Sequence, residues 1–180
     1  MTTGGFSAMT RAMTVPSIYV HASRDYERFL LDARDALGLG TTHQTYAAVL
    51  AVLVTFRARL TPVQALAFAD ALPPLLGAML LRDWPDPGES DAAPRKAFAD
   101  RATLTREAQR YRPNHTLLPD SGIADIARAL RRHVDPAAFA RALQRLPEGA
   151  AAFWEAGEPG AGAEDAIPSP LGGDGGSAKR

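Results

Sequence analysis

Two proline breaks recur at the same spacing in the two halves of this sequence, and they constrain the fold more than any other feature. Residues 123–154 align with residues 49–80 without a gap, each residue pairing with the one 74 positions earlier. Threonine or aspartate followed by proline is typical of a helix start, because proline at the first helical position loses no hydrogen bond. The pattern therefore predicts two copies of one helix–break–helix repeat. The paired breaks are Thr61-Pro62 with Asp135-Pro136, and Leu72-Pro73 with Leu146-Pro147.

The apolar positions of the two aligned segments also correspond, although only five of the 32 paired residues are identical. Ala65 and Ala69 of the first copy become Phe139 and Leu143 of the second, a volume change that two packings of one backbone can accommodate. We therefore expect the copies to share helix spacing and to differ in core side chains. The matched apolar residues are Val49, Val52, Phe56 and Leu60 with Ile123, Ile126, Leu130 and Val134, and Met79-Leu80 with Phe153-Trp154.

Helical periodicity and end signals predict four helices in the first copy. The second of these is apolar almost all round, which is typical of a central helix. The first ends before Gly38, a residue that favours the left-handed conformation at helix ends. The predicted helices run from Ser23 as N-cap to Leu37, from Thr41 or Thr42 to about Leu60, from Pro62 to about Leu72, and from Leu75 to about Trp84.

The start of the second copy has a weaker pattern. Residues 94–112 predict a helix, but its apolar stripe of Phe98, Ala102 and Leu104 is thin. Residues 114–121 read as a loop before the next helix. Trp84 and Trp154, each near the end of its copy, are expected to pack as caps on the core.

The sequence as a whole predicts an all-α protein whose two tandem repeats pack as one helical-bundle domain. Its apolar content of 46% is sufficient for a core. Both ends are rich in small and polar residues with little to bury, which predicts disorder. The predicted organisation is a disordered segment over 1–19, a domain over 20–155 with repeats at 23–85 and 94–155 joined by a loop at 85–93, and a disordered tail over 156–180.

The segments that carry this pattern resemble a known bacterial family. With DYERFLLDARDALGLG at residues 25–40 and LTPVQALAFADALPPLLGAMLLRDW at residues 60–84, the chain resembles the domain of unknown function 2267, an all-helical family with two such repeats. The resemblance covers about residues 24–154, and it is also clear after Pro136. These motifs concern packing and turns, so the resemblance implies a fold and no activity, and it transfers no functional residue.

Charge is distributed unequally along the chain, although the formal net charge is zero. Residues 24–91 hold six basic and nine acidic residues, whereas residues 95–147 hold eleven basic and five acidic ones. The basic segment at 126–146 is similar in pattern to a helix-turn-helix, and its arginines would contact nucleic-acid phosphates. A solvated basic face explains the same pattern, because the repeat alone accounts for the helix–proline–helix order. The candidate nucleic-acid-binding residues are Arg128, Arg131, Arg132, Arg141 and Arg145.

No arrangement of residues in the sequence predicts a catalytic, cofactor or metal site. Cysteine is absent, and the four histidines occur in no metal-binding frame, so we interpret them as surface or capping residues. The acidic loop lacks the residue order of a calcium site and is interpreted as a solvated turn. The histidines are His21, His43, His115 and His133, and the loop carries Asp83, Asp86, Glu89 and Asp91.

The leading hypothesis is a non-enzymatic, cytoplasmic protein-interaction module that binds a protein partner or a second copy of itself. Its longest apolar stretch, residues 46–56, is too short to span a bilayer, so no membrane association is expected. The absence of cysteine suits a reducing compartment. The alternative is a nucleic-acid-binding protein that uses the basic second repeat. A pocket for a small ligand between the helices is left open by the sequence.

Overall fold

The secondary structure of the described chain consists of α-helices joined by short turns, which confirms the all-α prediction. The computed structural model describes residues 16–84, 95–111 and 117–157. The helices are α1 (Ser17–Val20), α2 (Ala22–Leu37), α3 (Thr42–Arg57), α4 (Pro62–Ala69), α5 (Pro74–Leu81), α6 (Arg101–Gln109), α7 (Gly122–Leu130), α8 (Pro136–Leu143) and α9 (Ala150–Phe153).

Capping interactions fix the starts of α3 and α4 at the predicted threonines. The Thr41 hydroxyl accepts a hydrogen bond from the backbone N–H of Gln44, whose side chain accepts one in return from the Thr41 N–H, both at 3.2 Å. Thr61 and Gln64 form the same reciprocal pair at 2.9 and 3.0 Å. Each pair satisfies two N–H groups that a helix start leaves without partners. Gly38 ends α2 with a left-handed φ of 64°, as predicted.

The start of α2 differs from the prediction. The assignment of Ser23 as N-cap is wrong, because α2 begins at Ala22 and the capping position is His21, whose side chain makes no capping hydrogen bond. The reason is α1: the His21 N–H donates to the Ser17 carbonyl, so the backbone is already turning helically when α2 begins. The described helices thus begin at Ser17, before the predicted domain start at residue 20. At the other end of the first copy, α5 stops at Leu81, short of Trp84.

The first helix of the second copy is much shorter than predicted. Residues 95–100 are not helical, and α6 begins only at Arg101, where the Asp100 side chain accepts a hydrogen bond from the Thr103 N–H. Two arginines hold the preceding segment against the end of α3. The Arg95 Nε donates to the Leu60 carbonyl, and the Arg59 Nε donates to the Ala97 carbonyl. These long-range bonds replace the helical turn that the sequence pattern suggests.

The packing of the helices interlocks the two predicted repeats. The first helix of the first repeat, α2, packs chiefly against α7 of the second, and α6 of the second packs against α3 of the first. Helices α4 and α8, which follow the matching proline breaks, contact one another. Each repeat therefore covers part of its core with a helix from the other.

Aromatic rings from both predicted repeats form the centre of the core. Phe56 of α3 lies with its ring centroid 4.8 Å from that of Phe68, 5.0 Å from Phe153 and 5.2 Å from Trp154. Trp154 is fully buried, which confirms its predicted packing role. Phe139 of α8 adds a ring 5.6 Å from Phe68. The cluster joins α3, α4, α8 and α9 into one core.

Helices α4 and α8 begin and end at paired residues of the predicted alignment. Four backbone hydrogen bonds within and just after α4 have counterparts 74 residues later, with lengths that agree to 0.1 Å. This local correspondence accords with the predicted repeat, which stays a prediction for the whole chain because α9 has four residues where α5 has eight. The paired bonds are Ala65 N to Thr61 O with Phe139 N to Asp135 O, Asp70 N to Leu66 O with Gln144 N to Ala140 O, Ala71 N to Phe68 O with Arg145 N to Ala142 O, and Leu72 N to Ala69 O with Leu146 N to Leu143 O.

The helices of the described ranges are short or too polar for a membrane span: no single one of them is long and apolar enough to cross a membrane. Only α2 and α3 taken together, which meet at a bend of 88°, reach the necessary length and composition.

Candidate functional site

The outward face of α4 exposes two large aliphatic side chains. The helix turns Ala65 and Phe68 into the core, where both are fully buried. On the opposite face, Val63 is 75% exposed and Leu66 is 56% exposed. The two residues are three positions apart, so they are neighbours on the helix surface. Helix α4 therefore offers a small apolar surface to solvent.

Helix α8, which contacts α4, and the turn that follows it expose positive charge. The helix buries Phe139 and Leu143, whereas Arg141 within it and Arg145, two residues after its end, are exposed. These two arginines are four positions apart, and neither forms an ion pair with the described residues. Because Phe68 and Phe139 meet in one aromatic cluster, the faces opposite to them both point outward. We call the exposed side chains of Val63, Leu66, Arg141 and Arg145 the α4/α8 surface.

The other three candidate arginines contact the protein itself. The Arg128 Nη1 donates to the Asp125 carboxylate at 2.8 Å, and its Nη2 lies 3.4 Å from the Gly157 carbonyl. The Arg131 Nη2 donates to the Trp154 carbonyl at 2.9 Å. Arg132 is more exposed and lies 4.0 Å from the Asp32 carboxylate. The five predicted arginines thus fall into two, Arg141 and Arg145, that form no ion pair with the described residues, and three that contact backbone or carboxylate groups.

A histidine–carboxylate pair joins α2 to the end of α7. The Nε2 of His133 lies 2.8 Å from Oδ2 of Asp32, and its ring meets that of Phe29 edge to face at 5.7 Å. His133 is only 15% exposed, so it is a packed contact between the predicted repeats, where a surface or capping residue was expected. His21 and His43 are exposed as predicted, whereas His115 lies outside the described residues.

The acidic and histidine side chains of the described ranges are scattered. Within those ranges, no cluster of three or more histidine, aspartate or glutamate side chains is placed to hold a metal ion. Of the predicted acidic loop, Asp83 is exposed and lies 3.4 Å from the Arg82 guanidinium. Asp86, Glu89 and Asp91 lie outside the described residues.

A buried arginine organises the charged groups beneath α6. The Arg59 side chain is 3% exposed, and its Nη2 donates to the Glu107 carboxylate at 2.7 Å. The same guanidinium donates to the backbone carbonyls of Thr55 and Ala97. Lys96 donates to the other oxygen of Glu107 at 2.7 Å. Since each group has partners, this cluster holds the 95–100 segment in place.

The charge cluster lowers the pKa of its carboxylate. Burial alone raises the pKa of Glu107, but hydrogen bonds and charge attraction from Arg59 and Lys96 outweigh burial and hold it below its ordinary value of 4.5. A carboxylate with a lowered pKa stabilises the fold above its ordinary pKa and loses that contribution as the pH falls through the folded-state pKa.

We expect Glu107→Gln to lower the free energy of unfolding by about 1–2 kcal/mol at pH 7, because charged hydrogen bonds are lost. The difference between the variant and the natural protein should shrink as the pH falls from 4.5 toward the lower folded-state pKa of Glu107, because the unfolded chain takes up the proton first. Urea unfolding at pH 7 and at acidic pH measures both. Asp25→Asn, which removes an exposed contact of 3.7 Å with Arg28, serves as control and should change stability by under about 0.5 kcal/mol.

A cleft of about 790 Å³ opens beside this cluster, between residues 96–104 and residues 147–157. Arg101 crosses one side of it and donates to the carbonyls of Ala152 and Glu155. Gly149 approaches Phe98 so closely that a Cβ would lie 2.5 Å from the Phe98 Cβ, and its φ of 92° also disfavours other residues. Arg101 thus ties the two walls of the cleft together.

These features define a small all-helical domain whose clearest outward chemistry is the α4/α8 surface. A family model described as an uncharacterized conserved protein, DUF2267, matches residues 26–153. The chain belongs to this family, as the segments around the proline breaks predicted. No curated protein matches the chain.

Proposed function

We propose that this protein is a non-enzymatic interaction module that binds another protein through the α4/α8 surface. The observation that carries the proposal is the exposure of Val63 and Leu66 together on one helix, at 75% and 56%. Exposed aliphatic side chains that lie next to each other and are bordered by charge are typical of protein interfaces. As part of the same proposal we place the module in the bacterial cytoplasm, in keeping with a sequence that has no cysteine.

The exposed arginines of the α4/α8 surface indicate the chemistry of the partner. Arg141 lies on α8, which contacts α4, and Arg145 lies two residues after the end of α8; neither forms an ion pair with the described residues. A partner segment that fits this surface would bring aliphatic side chains to Val63 and Leu66 and acidic side chains to the two arginines. An amphipathic helix with an acidic flank meets both requirements.

A paired substitution tests the proposal. Val63→Ser with Leu66→Ser should reduce recovery of the bound protein from native cell extract at least about tenfold, since two apolar anchors are lost. Leu31→Ser, which removes an exposed leucine from α2, is the matched control and should leave recovery unchanged. Quantitative mass spectrometry of tagged full-length protein provides the measurement.

The same variants distinguish self-association from binding of another protein. Light scattering at low and high salt gives the mass of the purified chain. A dimer that the paired substitution dissociates would identify a second copy as the partner. Recovery that is equal for the natural chain and the paired variant would contradict the proposal, as would a monomer that retains no protein from the extract.

Nucleic-acid binding is the second candidate function, and the exposure of Arg141 and Arg145 favours it. Three of the five arginines contact the protein itself, so Arg141 and Arg145 provide the sharper test. Retardation of DNA or RNA at low salt should weaken steeply as salt rises and should fall for Arg141→Gln with Arg145→Gln. Arg24→Gln, an exposed arginine on α2, is the control. Absence of retardation at low salt would exclude this function.

A further inference from the structure

An apolar groove of about 510 Å³ lies within the first predicted repeat, between α2, α3 and α5. This volume is within the range of about 300–1,000 Å³ that is typical of small-molecule sites. The walls are Tyr26 from α2, Tyr46 from α3 and Leu75, Ala78, Met79 and Leu81 from α5, with Arg82 beside them. The α4/α8 surface shares no residue with this groove.

Two tyrosine hydroxyls in the groove have incomplete hydrogen bonding. The Tyr26 hydroxyl donates to the Met79 sulfur at 3.1 Å, and a thioether is a weak acceptor. The Tyr46 hydroxyl accepts from the Arg82 Nη1 at 3.2 Å, which leaves its own proton to donate. Both phenols can therefore form a stronger hydrogen bond with an oxygen of a bound molecule.

The protonation state of Tyr26 is also suited to donation. Burial, and to a smaller extent the neighbouring Tyr46, raise the pKa of Tyr26 from 10.0 to about 12. Tyr26 therefore keeps its proton well above physiological pH. A neutral phenol next to a guanidinium favours an acceptor that carries negative charge.

The charges near Arg82 limit how much negative charge a ligand can carry. Its side chain is 62% exposed, and its Nε lies 3.4 Å from the Asp83 carboxylate. This carboxylate partly neutralises the guanidinium and would repel a group with two negative charges, such as a phosphate. A single carboxylate fits the arginine, because its two oxygens match the planar guanidinium.

We propose that this groove binds a small apolar monocarboxylate, with the hydrophobic body against Tyr26, Leu75 and Met79. The carboxylate is held by Arg82 and the Tyr46 hydroxyl at the open side of the groove. The apolar walls provide most of the affinity, and the arginine selects acids over neutral analogues of the same shape. This ligand site is separate from the proposed protein-interaction function.

Titration calorimetry of the full chain with two matched probes tests the proposal. Naphthalene-2-carboxylate should bind at least about tenfold more tightly than naphthalene-2-carboxamide, because only the acid pairs with the guanidinium. Arg82→Gln should weaken binding of the acid about tenfold and leave binding of the amide unchanged. Arg24→Gln, which changes an exposed arginine on α2, is the matched control and should alter the binding of neither probe.

A second variant shows whether the probes bind in this groove. Ala78→Leu places a larger side chain on its exposed wall and should weaken both probes, while circular dichroism confirms the fold. The proposal would be overturned if neither probe bound the natural chain at millimolar concentration, if Arg82→Gln bound the acid as tightly, or if Ala78→Leu had no effect. Recovery of a protein partner should be unaffected by Ala78→Leu, so failure here is distinct from failure of the interaction proposal.

Discussion

Residues 16–93 expressed without the rest of the chain are expected to remain largely unfolded. The apolar face of α2 is buried chiefly against α7, which belongs to the missing part. This face consists of Phe29, Leu30, Ala33 and Leu37, each less than 9% exposed in the whole protein. Burial of one large apolar side chain contributes about 1.5–3 kcal/mol, so exposing several of them removes much of a typical stability of about 5–15 kcal/mol.

The measurement compares the separate pieces with their mixture. Far-ultraviolet circular dichroism should show weak helical signal for 16–93 and for 94–157, and a gain of helix when equimolar amounts are combined. The intact 16–157 chain is the control and should unfold cooperatively in urea. A separate 16–93 piece with cooperative unfolding of its own would show that the interlocked packing is dispensable.

Helix starts that depend on neighbouring residues could be predicted from the sequence. Thr41 and Thr61 form capping boxes with a glutamine three residues later, and the Asp135 side chain caps α8 by accepting from the Ala138 N–H, without a reciprocal bond. Proline then follows at the first position of α4 and α8. Such signals are complete within four residues, so the tertiary structure does not alter them.

Features that depend on distant residues could not be predicted in this way. The pattern at 94–112 predicted one long helix, but Arg59 and Arg95 bind backbone across more than 30 residues of sequence and hold residues 95–100 out of the helix. The pairing of α2 with α7 could not be predicted either. The spacing of apolar residues along a helix identifies its buried face but not the helix that packs against it.

Only some residues of the α4/α8 surface could be identified from the sequence. The candidate arginines were visible in the sequence as a basic segment. A sequence does not show, however, that Arg128 and Arg131 bind carboxylate and carbonyl groups of the same chain. Val63 and Leu66 were missed because apolar residues in a helix are normally assigned to the core. Their positions on the face opposite to Phe68 were the available signal.

Phe56→Ala is expected to lower the free energy of unfolding by about 4–5 kcal/mol, at the upper end of the range for such truncations. Phe56 is fully buried, and its ring contacts those of Phe68, Phe98, Phe153 and Trp154 at centroid distances of 4.8–5.7 Å. The substitution removes each aromatic pair and leaves a cavity where α3, α4 and α9 meet. Favourable aromatic pairs contribute about 0.5–1.5 kcal/mol beyond the buried area.

Urea unfolding followed by tryptophan fluorescence and by circular dichroism measures the loss, because one of the two tryptophans, Trp154, lies against the truncated ring. Phe56→Leu should cost less, about 1–2 kcal/mol, since leucine keeps most of the apolar volume and Leu130 occupies the paired position of α7. Leu31→Ala, at an exposed site, is the control and should change stability by under about 0.5 kcal/mol. A loss below about 2 kcal/mol for Phe56→Ala would mean that the core closes around the cavity, and that the ring cluster does not hold the two predicted repeats together.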